Sequence, residues 1–226
     1  MPDPHRIAGE LSALLSRSWY SSLFYHRNEF RNPKDPVATP ASIAEETSKL
    51  ISRNNPFVDP VVVEEQKGRG LEFYRAHDGA SDISGRKGNK IHTTSGTLGG
   101  FWVERSVLQT IWSATQRWQG KDREQTFMEM LRAANFIHPQ WNHMKEIACM
   151  KVPDGLSVVV VRGRGNWKAM QARPGSSMTP AVSIPGEVID RLGMMPIPGV
   201  EQCLIPLFND MWVQPVPRGA SWPLLA

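Results

Sequence analysis

The spacing of apolar residues separates a helical beginning from a mixed remainder. Apolar residues recur at helical spacing over residues 5–30 and predict a first helix there. A second helix is predicted to open at Ser42, because Glu45 follows three residues later, as in a capping box. Residues 1–55 are therefore expected to form a helical N-terminal extension, with a lid, a docking element or an inhibitor-binding surface as candidate roles. Residues 56–226 are expected to form the main, catalytic domain.

The remainder alternates between β-prone and helical stretches. Amphipathic stripes predict helices over residues 106–118 and 123–136. Alternating or valine-rich runs predict strands over residues 57–63, 71–77, 156–162, 203–208 and 211–213, and residues 91–97 and 100–104 are predicted to be short strands or turns. Gly163-Arg164-Gly165 is predicted to end the valine-rich strand, and residues 79–90 to form a polar loop. Strands on both sides of a helical middle indicate the α+β class.

Composition limits the kinds of protein to which the chain can belong. With 226 residues, of which 40% are hydrophobic, the chain is long enough for one large folded domain. Its 18 Gly and 18 Pro favour short strands joined by turns. The net charge of +4 permits an anionic partner without requiring one.

The sequence carries no sign of a membrane segment or a leader. No apolar run reaches ~18 residues, so neither a membrane span nor a membrane partner is expected. The first residues are polar, and no apolar core of a signal peptide follows them. A cytoplasmic protein is expected, and delivery into a target cell by a secretion system without a cleavable signal stays open.

The residues that bind metals in other proteins are sparse here. Cys149 and Cys203 are expected to be reduced and structural, with a single disulfide as the alternative. His138 and His143 lack an acid or thiol at metal-ligand spacing, so no metal site is expected. The sequence also has no glycine-rich phosphate loop, and no resident cofactor is expected.

Arg75 is a lone cation inside an apolar strand. Because a strand alternates its faces, Phe73, Arg75 and His77 are expected to share one side. If that side lines a cleft, the guanidinium would grip a diphosphate through two parallel hydrogen bonds. The alternative is an arginine at the rim of a sheet, paired with Glu72 or Asp78.

Two polar or aromatic steps follow Arg75 along the chain. The hydroxyls of Thr94 and Ser95 would hold a ribose or an amide, or would serve an ordinary turn. Phe101 and Trp102 follow a glycine pair and would stack on a nicotinamide or adenine ring, or would fill the core.

Glu201 and Gln202 stand ahead of the last apolar run. Regular alternation would send Gln202 and Leu204 to one face and Glu201 and Cys203 to the other. A glutamine that faces a cleft would hydrogen-bond a sugar hydroxyl while the sugar acquires oxocarbenium character. The alternative is a solvated strand start.

In their order along the chain, these blocks resemble the NAD glycohydrolase toxins of the tuberculosis necrotizing toxin type. These toxins are a branch of the bacterial polymorphic toxins, related to ADP-ribosyltransferases. The counterparts are Tyr74-Arg75, Gly100-Phe101-Trp102, Arg105, Val152-Pro153-Asp154-Gly155 with the strand after it, and Pro198-Gly199-Val200-Glu201-Gln202. The resemblance covers about residues 70–215, and the family's glycine doublet before the glutamine is reduced here to Pro198-Gly199.

The resemblance implies split, strongly bent antiparallel sheets that bind NAD or NADP as a substrate. Arg75, together with Arg105, would hold the pyrophosphate, and Phe101 or Trp102 would stack on the nicotinamide. Gln202 would orient the ribose while the N-glycosidic bond stretches, so that catalysis comes from positioning and charge stabilisation. Further contacts to the substrate are expected from His77, Thr94, Ser95 and Glu201. Nicotinamide leaves as a neutral group, and water captures the sugar to give ADP-ribose.

The resemblance leaves two alternatives and one partner open. An ADP-ribosyltransferase would use the same fold, and such enzymes usually place a Glu at the position of Gln202. A non-enzymatic module would bind nucleic acid through Arg162, Arg164, Lys168 and Trp167, although a nucleic acid is the less favoured partner. A cognate immunity protein is the macromolecular partner that a toxin of this type implies.

Overall fold

The computed structural model of the protein describes ten stretches of the chain. They are residues 3–17, 39–54, 56–77, 86–87, 90–91, 101–116, 123–134, 146–165, 200–208 and 212–216. The helices of these stretches are α1 (Pro4–Leu15), α2 (Pro40–Asn54), α3 (Arg105–Gln116) and α4 (Arg123–Ala134). The strands are β1 (Phe57–Lys67), β2 (Glu72–His77), β3 (Arg86–Lys87), β4 (Lys90–Ile91), β5 (Phe101–Glu104), β6 (Glu146–Lys151), β7 (Ser157–Gly165), β8 (Glu201–Leu204) and β9 (Val213–Val216).

Helix α1 begins as its sequence predicts and ends earlier. Asp3 is its N-cap and accepts a hydrogen bond from the backbone N–H of His5 at 2.9 Å, and a proline occupies the first turn. The apolar stripe of Ile7, Leu11 and Leu15 is fully buried. The helix ends at Leu15, so the predicted helix to residue 30 is too long; residues 18–38 lie outside the described part.

Helix α2 is capped one turn before the predicted capping box. The Thr39 hydroxyl accepts from the backbone N–H of Ser42 at 3.1 Å, and the Ser42 hydroxyl accepts from the backbone N–H of Thr39 at 2.8 Å. This reciprocal pair satisfies two donors at the helix start. Glu45 was predicted to close the box with Ser42, but it forms an ion pair with Lys49 one turn further on.

Seven strands form one antiparallel sheet in the order β1-β7-β8-β5-β2-β6-β9, and β3 pairs with β4 separately. Strand β5 joins the two halves of this sheet. Its residues Phe101 and Trp102 pair with β8, whereas Val103 and Glu104 pair with β2. One four-residue strand therefore belongs to a first half, β1-β7-β8, and to a second half, β2-β6-β9. The predicted α+β class is confirmed in this form.

The outer face of the sheet is covered by a different helix pair on each half. On the first half, α1 and α2 share one buried cluster with the sheet through Ile7, Leu11, Leu15, Ile43, Ala44, Ile51, Phe57, Val61, Val159, Val161, Leu204 and Leu207. On the second half, α3 and α4 contribute to a cluster of Tyr74, Ala76, Val103, Leu108, Ile111, Trp112, Phe127, Met130, Leu131, Ile147, Cys149 and Val200. The N-terminal helices are thus part of a core that the sheet also builds.

The inner face holds a single cluster that both halves share. It consists of Phe73, Trp102, Ala148, Met150, Val152, Val158, Val160, Cys203, Ile205 and Val213. Residues of β7 and of the distant β9 belong to this one cluster, which residues of the strands between them complete. Burial of this common apolar core ties the two halves of the sheet together.

Strand β7 continues through the predicted break at Gly163-Arg164-Gly165 and pairs with β1 as far as Phe57. A Cβ atom on Gly163 would lie 3.0 Å from Cβ and Cγ of Phe57, so the glycine leaves space for that ring. Glycine here serves close packing within a strand and does not end it.

Gly163→Ala is expected to lower the free energy of unfolding by about 1–3 kcal/mol, because the added methyl group overpacks the buried Phe57 ring. Urea denaturation measures the change. Gly9→Ala on α1 is the matched control: its Cβ meets nothing within 4 Å, and alanine favours a helix, so stability should hold or rise. Equal stability of Gly163→Ala and the wild type would contradict the packing argument.

The carboxylate of Glu65 joins α1 to the sheet on its outer face. Arg17, just beyond the end of α1, forms an ion pair with Glu65, and Ser157 donates its hydroxyl at 2.6 Å. Lys67 lies 3.3 Å from the same carboxylate. Burial alone would raise the pKa of Glu65, but the hydrogen bonds from Ser157 and Lys67 and the charges of Lys67 and Arg17 outweigh burial and lower it.

Glu65→Gln is expected to lower the free energy of unfolding by about 1 kcal/mol near neutral pH and to flatten its decline in acid. With a folded-state pKa below the unfolded value, the stabilisation is complete above the unfolded pKa and is lost as the pH falls through the folded pKa. Urea unfolding at neutral and at acidic pH should show that the free energy of unfolding falls more in the wild type than in the variant as the pH is lowered. Glu10→Gln, which removes an exposed ion pair on α1, is the control with little effect. Equal acid sensitivity of Glu65→Gln and the wild type would exclude this role.

Candidate functional site

Three carboxylates from three strands surround one guanidinium on the inner face. Arg162 of β7 forms an ion pair with Glu64 of β1, lies 3.4 Å from the Glu104 carboxylate of β5 and lies 3.6 Å from that of Glu201 of β8. Gln66 of β1 donates to Glu64 at 3.0 Å and to Glu104 at 3.1 Å. We call these five residues the Arg162 cluster.

The Arg162 cluster lies beside the buried inner core and stays partly open to solvent. The Arg162 side chain is 27% exposed, Glu104 is 34% exposed and Glu201 is 58% exposed. Burial alone would lower the pKa of Arg162, but the charges of Glu64, Glu104 and Glu201 outweigh it and raise the pKa. The guanidinium therefore stays charged, and the carboxylates around it outnumber it.

Arg75 faces the same side of the sheet as the cluster. Its partner in the register, Ala148, belongs to the inner core, and its Nη1 donates to the carbonyl oxygen of Phe101 at 3.1 Å. The guanidinium of Arg75 thus bridges from β2 to β5, the strand that also carries Glu104. The alternative prediction paired Arg75 with Glu72 or Asp78. Glu72 lies on the outer face and has its partners there, so it does not pair with Arg75. Asp78 lies outside the described residues.

The two aromatic candidates point in different directions. Trp102 is 1% exposed, belongs to the inner core and packs edge-to-face on Phe208 at 5.3 Å between ring centroids. Phe101 packs with the outer cluster, 6.0 Å from the Phe57 ring. The burial of Trp102 is that of a core residue, so it does not present a free ring face for stacking on a substrate.

Glu201 and Gln202 lie on opposite faces, as regular alternation predicts. Glu201 is opposite Arg164 in the register and contacts Arg162 on the inner face. Gln202 is opposite Gly163 on the outer face and is only 5% exposed. The structure therefore brings Glu201, and not Gln202, to the face that Arg75 shares.

Arg105 lies apart from Arg75, in a second charged group on the outer face. Its Nη1 is 3.7 Å from Glu72, which also accepts a hydrogen bond from the Tyr74 hydroxyl at 2.6 Å and lies 3.4 Å from Lys151. Burial, with the hydrogen bond to Glu72, strongly raises the pKa of Tyr74. The two arginines expected to hold one pyrophosphate are thus on different faces of the sheet.

The other candidates are placed only in part. The backbone of His77 ends β2 opposite Glu146. Thr94 and Ser95 lie outside the described residues. The sequence reasoning missed Glu64 and Glu104 as members of a site, although each is an acidic residue that follows an apolar step of a strand.

The alternative of a nucleic-acid-binding module depended on four residues, Arg162, Arg164, Trp167 and Lys168, and Arg162 is not available for that role. Arg162 is engaged by carboxylates, so it adds little positive potential for a phosphate backbone. Lys168 and Trp167 lie outside the described residues. Of the four residues, Arg164 is described and exposed, but Arg162 is engaged by three carboxylates.

Comparisons with protein-family models, curated proteins and solved structures gave no match. Within the described stretches, no three His, Cys, Asp or Glu side chains are grouped so that they would hold a metal ion; His138 and His143 lie outside these stretches. No helix of the described part is both long enough and apolar enough to span a membrane.

Both cysteines are free and buried, which confirms the prediction that they are reduced and structural. Cys149 lies in the outer cluster of the second half, whereas Cys203 lies in the inner core, so the sheet separates them. Burial is the largest cause that raises the pKa of Cys149 to about 11 and that of Cys203 to about 12. The alternative of a single disulfide between them is wrong for this fold.

Neither thiol is expected to react with an aromatic disulfide reagent in the native protein near pH 8, because both are buried and protonated there. Titration with the reagent in denaturant should then reveal two thiols. A thiol that reacts rapidly in the native protein, or fewer than two thiols after unfolding, would contradict this arrangement.

Proposed function

We propose that the protein is an NAD(P) glycohydrolase whose site lies at the Arg162 cluster, with Glu201 in the role that the resemblance assigns to Gln202. The observation that carries the proposal is the gathering of three partly exposed carboxylates around the guanidinium of Arg162 on the inner face. It is supported by an antiparallel sheet whose two halves meet only at β5, since the resemblance to the NAD glycohydrolase toxins implies split antiparallel sheets.

An acidic site suits the chemistry of this substrate. The nicotinamide ring of NAD is cationic, and its loss leaves an oxocarbenium-like sugar that is also cationic. A carboxylate held beside that sugar stabilises the positive charge as it develops in the transition state. Glu201 is the most exposed carboxylate of the three and the most weakly paired, 3.6 Å from Arg162, so we assign it to this role.

Arg75 and Arg162 divide the remaining tasks. Arg75 lies on the inner face at the second half of the sheet, and we assign it to the pyrophosphate of the dinucleotide. Arg162 sits among the carboxylates and holds them in place. With the indole of Trp102 buried, stacking on the nicotinamide is left out of this assignment.

An ADP-ribosyltransferase is the second candidate, and one observation favours it. A glutamate, and not a glutamine, faces the side that Arg75 shares, and transferases of the related group usually place a Glu there. The products separate the two reactions, because a hydrolase releases free ADP-ribose and a transferase attaches it to an acceptor.

The wild type is expected to convert NAD or NADP into nicotinamide and free ADP-ribose (or its 2′-phosphate), and chromatography of both products measures this. Glu201→Gln should lower kcat by about 100-fold or more, since it removes the charge beside the oxocarbenium-like sugar. Gln202→Ala is the matched control, because the neighbouring Gln202 lies on the outer face of the sheet. The kcat of this variant should stay within a few-fold of the wild type.

The opposite pattern, with activity lost in Gln202→Ala and kept in Glu201→Gln, would return the role to Gln202. Nicotinamide release without free ADP-ribose would identify a transferase. A well-folded wild type that cleaves neither NAD nor NADP would overturn the proposed function.

A further inference from the structure

The three carboxylates of the Arg162 cluster are held in three different ways. Glu64 pairs with Nη2 of Arg162 and also accepts from Gln66, so it neutralises the guanidinium. Glu201 is the most exposed of the three, and among the described residues its one ion pair is the 3.6 Å contact with Arg162. Glu104 is intermediate in its distance from Arg162, at 3.4 Å, and it is less exposed than Glu201.

One oxygen of Glu104 is fixed by two donors. Its Oε1 accepts a hydrogen bond from Nε2 of Gln66 at 3.1 Å and lies 3.4 Å from Nη1 of Arg162. Within the described part of the chain, Oε2 of Glu104 has no such contact. Two donors on Oε1 orient the carboxylate, and the partly exposed side chain leaves Oε2 to meet a small molecule from solvent.

Glu104 and Glu201 are also close enough to serve one reacting centre. Oε1 of Glu104 and Oε2 of Glu201 lie 3.4 and 3.6 Å from the same atom, Nη1 of Arg162. Their separation therefore cannot exceed the sum of these two distances. In glycosidases the two carboxylates lie roughly 6.5–9.5 Å apart when a water is activated between them, and this pair reaches the short end of that range.

We infer that Glu104 is the general base that activates the attacking water, an inference that rests on the proposed function. The bond between the nicotinamide nitrogen and C1′ of the ribose breaks, and its electron pair leaves with neutral nicotinamide. The water oxygen forms the new bond to C1′, and its proton passes to Oε2 of Glu104, which later releases it to solvent. Gln66 and Arg162 are positioning residues that hold Oε1 and so aim Oε2.

This division of labour places the base on β5, a strand that the resemblance associates only with ring stacking. A carboxylate there assists whichever protic nucleophile reaches C1′, and for a hydrolase that nucleophile is water.

Glu104→Gln, compared in parallel with Glu201→Gln and the wild type, tests the inference. The variant keeps an acceptor for Gln66 and Arg162 but cannot take the proton, so hydrolysis should fall by about 100-fold or more. Sodium azide is then added, because azide attacks C1′ without needing a base. Azide should restore nicotinamide release in Glu104→Gln, with ADP-ribosyl azide as the product, and should not restore it in Glu201→Gln. Glu104→Ala is the second variant if the glutamine variant does not fold.

Glu72→Gln is the matched control, since it removes a carboxylate from a charged group on the outer face and should leave turnover within a few-fold of the wild type. Wild-type hydrolysis by folded Glu104→Gln would overturn the inference while the proposed function stands. Loss of activity that azide does not restore would also overturn it, because Glu104 would then act in bond cleavage. If the wild type cleaves neither NAD nor NADP, the proposed function itself is overturned.

Discussion

The short strand β5 is the constraint on which the rest of the structure depends. Its first two residues complete the ladder of β8 and its last two complete that of β2, so four residues hold two half-sheets together. The backbone alone leaves such a junction free to bend. The buried inner core supplies the missing stiffness, because Trp102 of β5 packs there with residues of both halves. The junction therefore sets how the inner-face residues of one half lie relative to those of the other.

The junction also explains how distant charges meet. Glu64 lies 98 residues from Arg162, and Glu104 lies 58 residues from it, yet neighbouring strands bring both carboxylates to the same guanidinium. Glu104 reaches the cluster only because β5 is inserted between β8 and β2. If β5 lay elsewhere, Arg162 would keep Glu64 of β1 and Glu201 of β8 but would lose Glu104.

Local patterns predicted much of the fold, and long-range partners escaped them. The start of α1, both central helices and the valine-rich strand follow from periodicity, and the division of Glu201 and Gln202 between faces follows from alternation. The continuation of β7 through Gly163 was missed, because the reason lies in the Phe57 ring, more than a hundred residues away in sequence. The Arg162 cluster was missed for the same reason, since no pattern within one strand records which strand lies beside it.

The composition of the Arg162 cluster argues for function over stability. One carboxylate would neutralise Arg162 and satisfy the structural need for a partner, as Glu64 already does. Two more carboxylates at 3.4 and 3.6 Å add mutual repulsion that a purely structural cluster has no reason to carry. Proteins keep such locally unfavourable arrangements mainly where a site requires them. The outer-face group around Glu72 shows the contrast, because there one carboxylate is shared by two cations and a hydroxyl, as a structural role demands. Within the described part of the chain, the inner-face cluster thus inverts that ratio, with three carboxylates around one guanidinium.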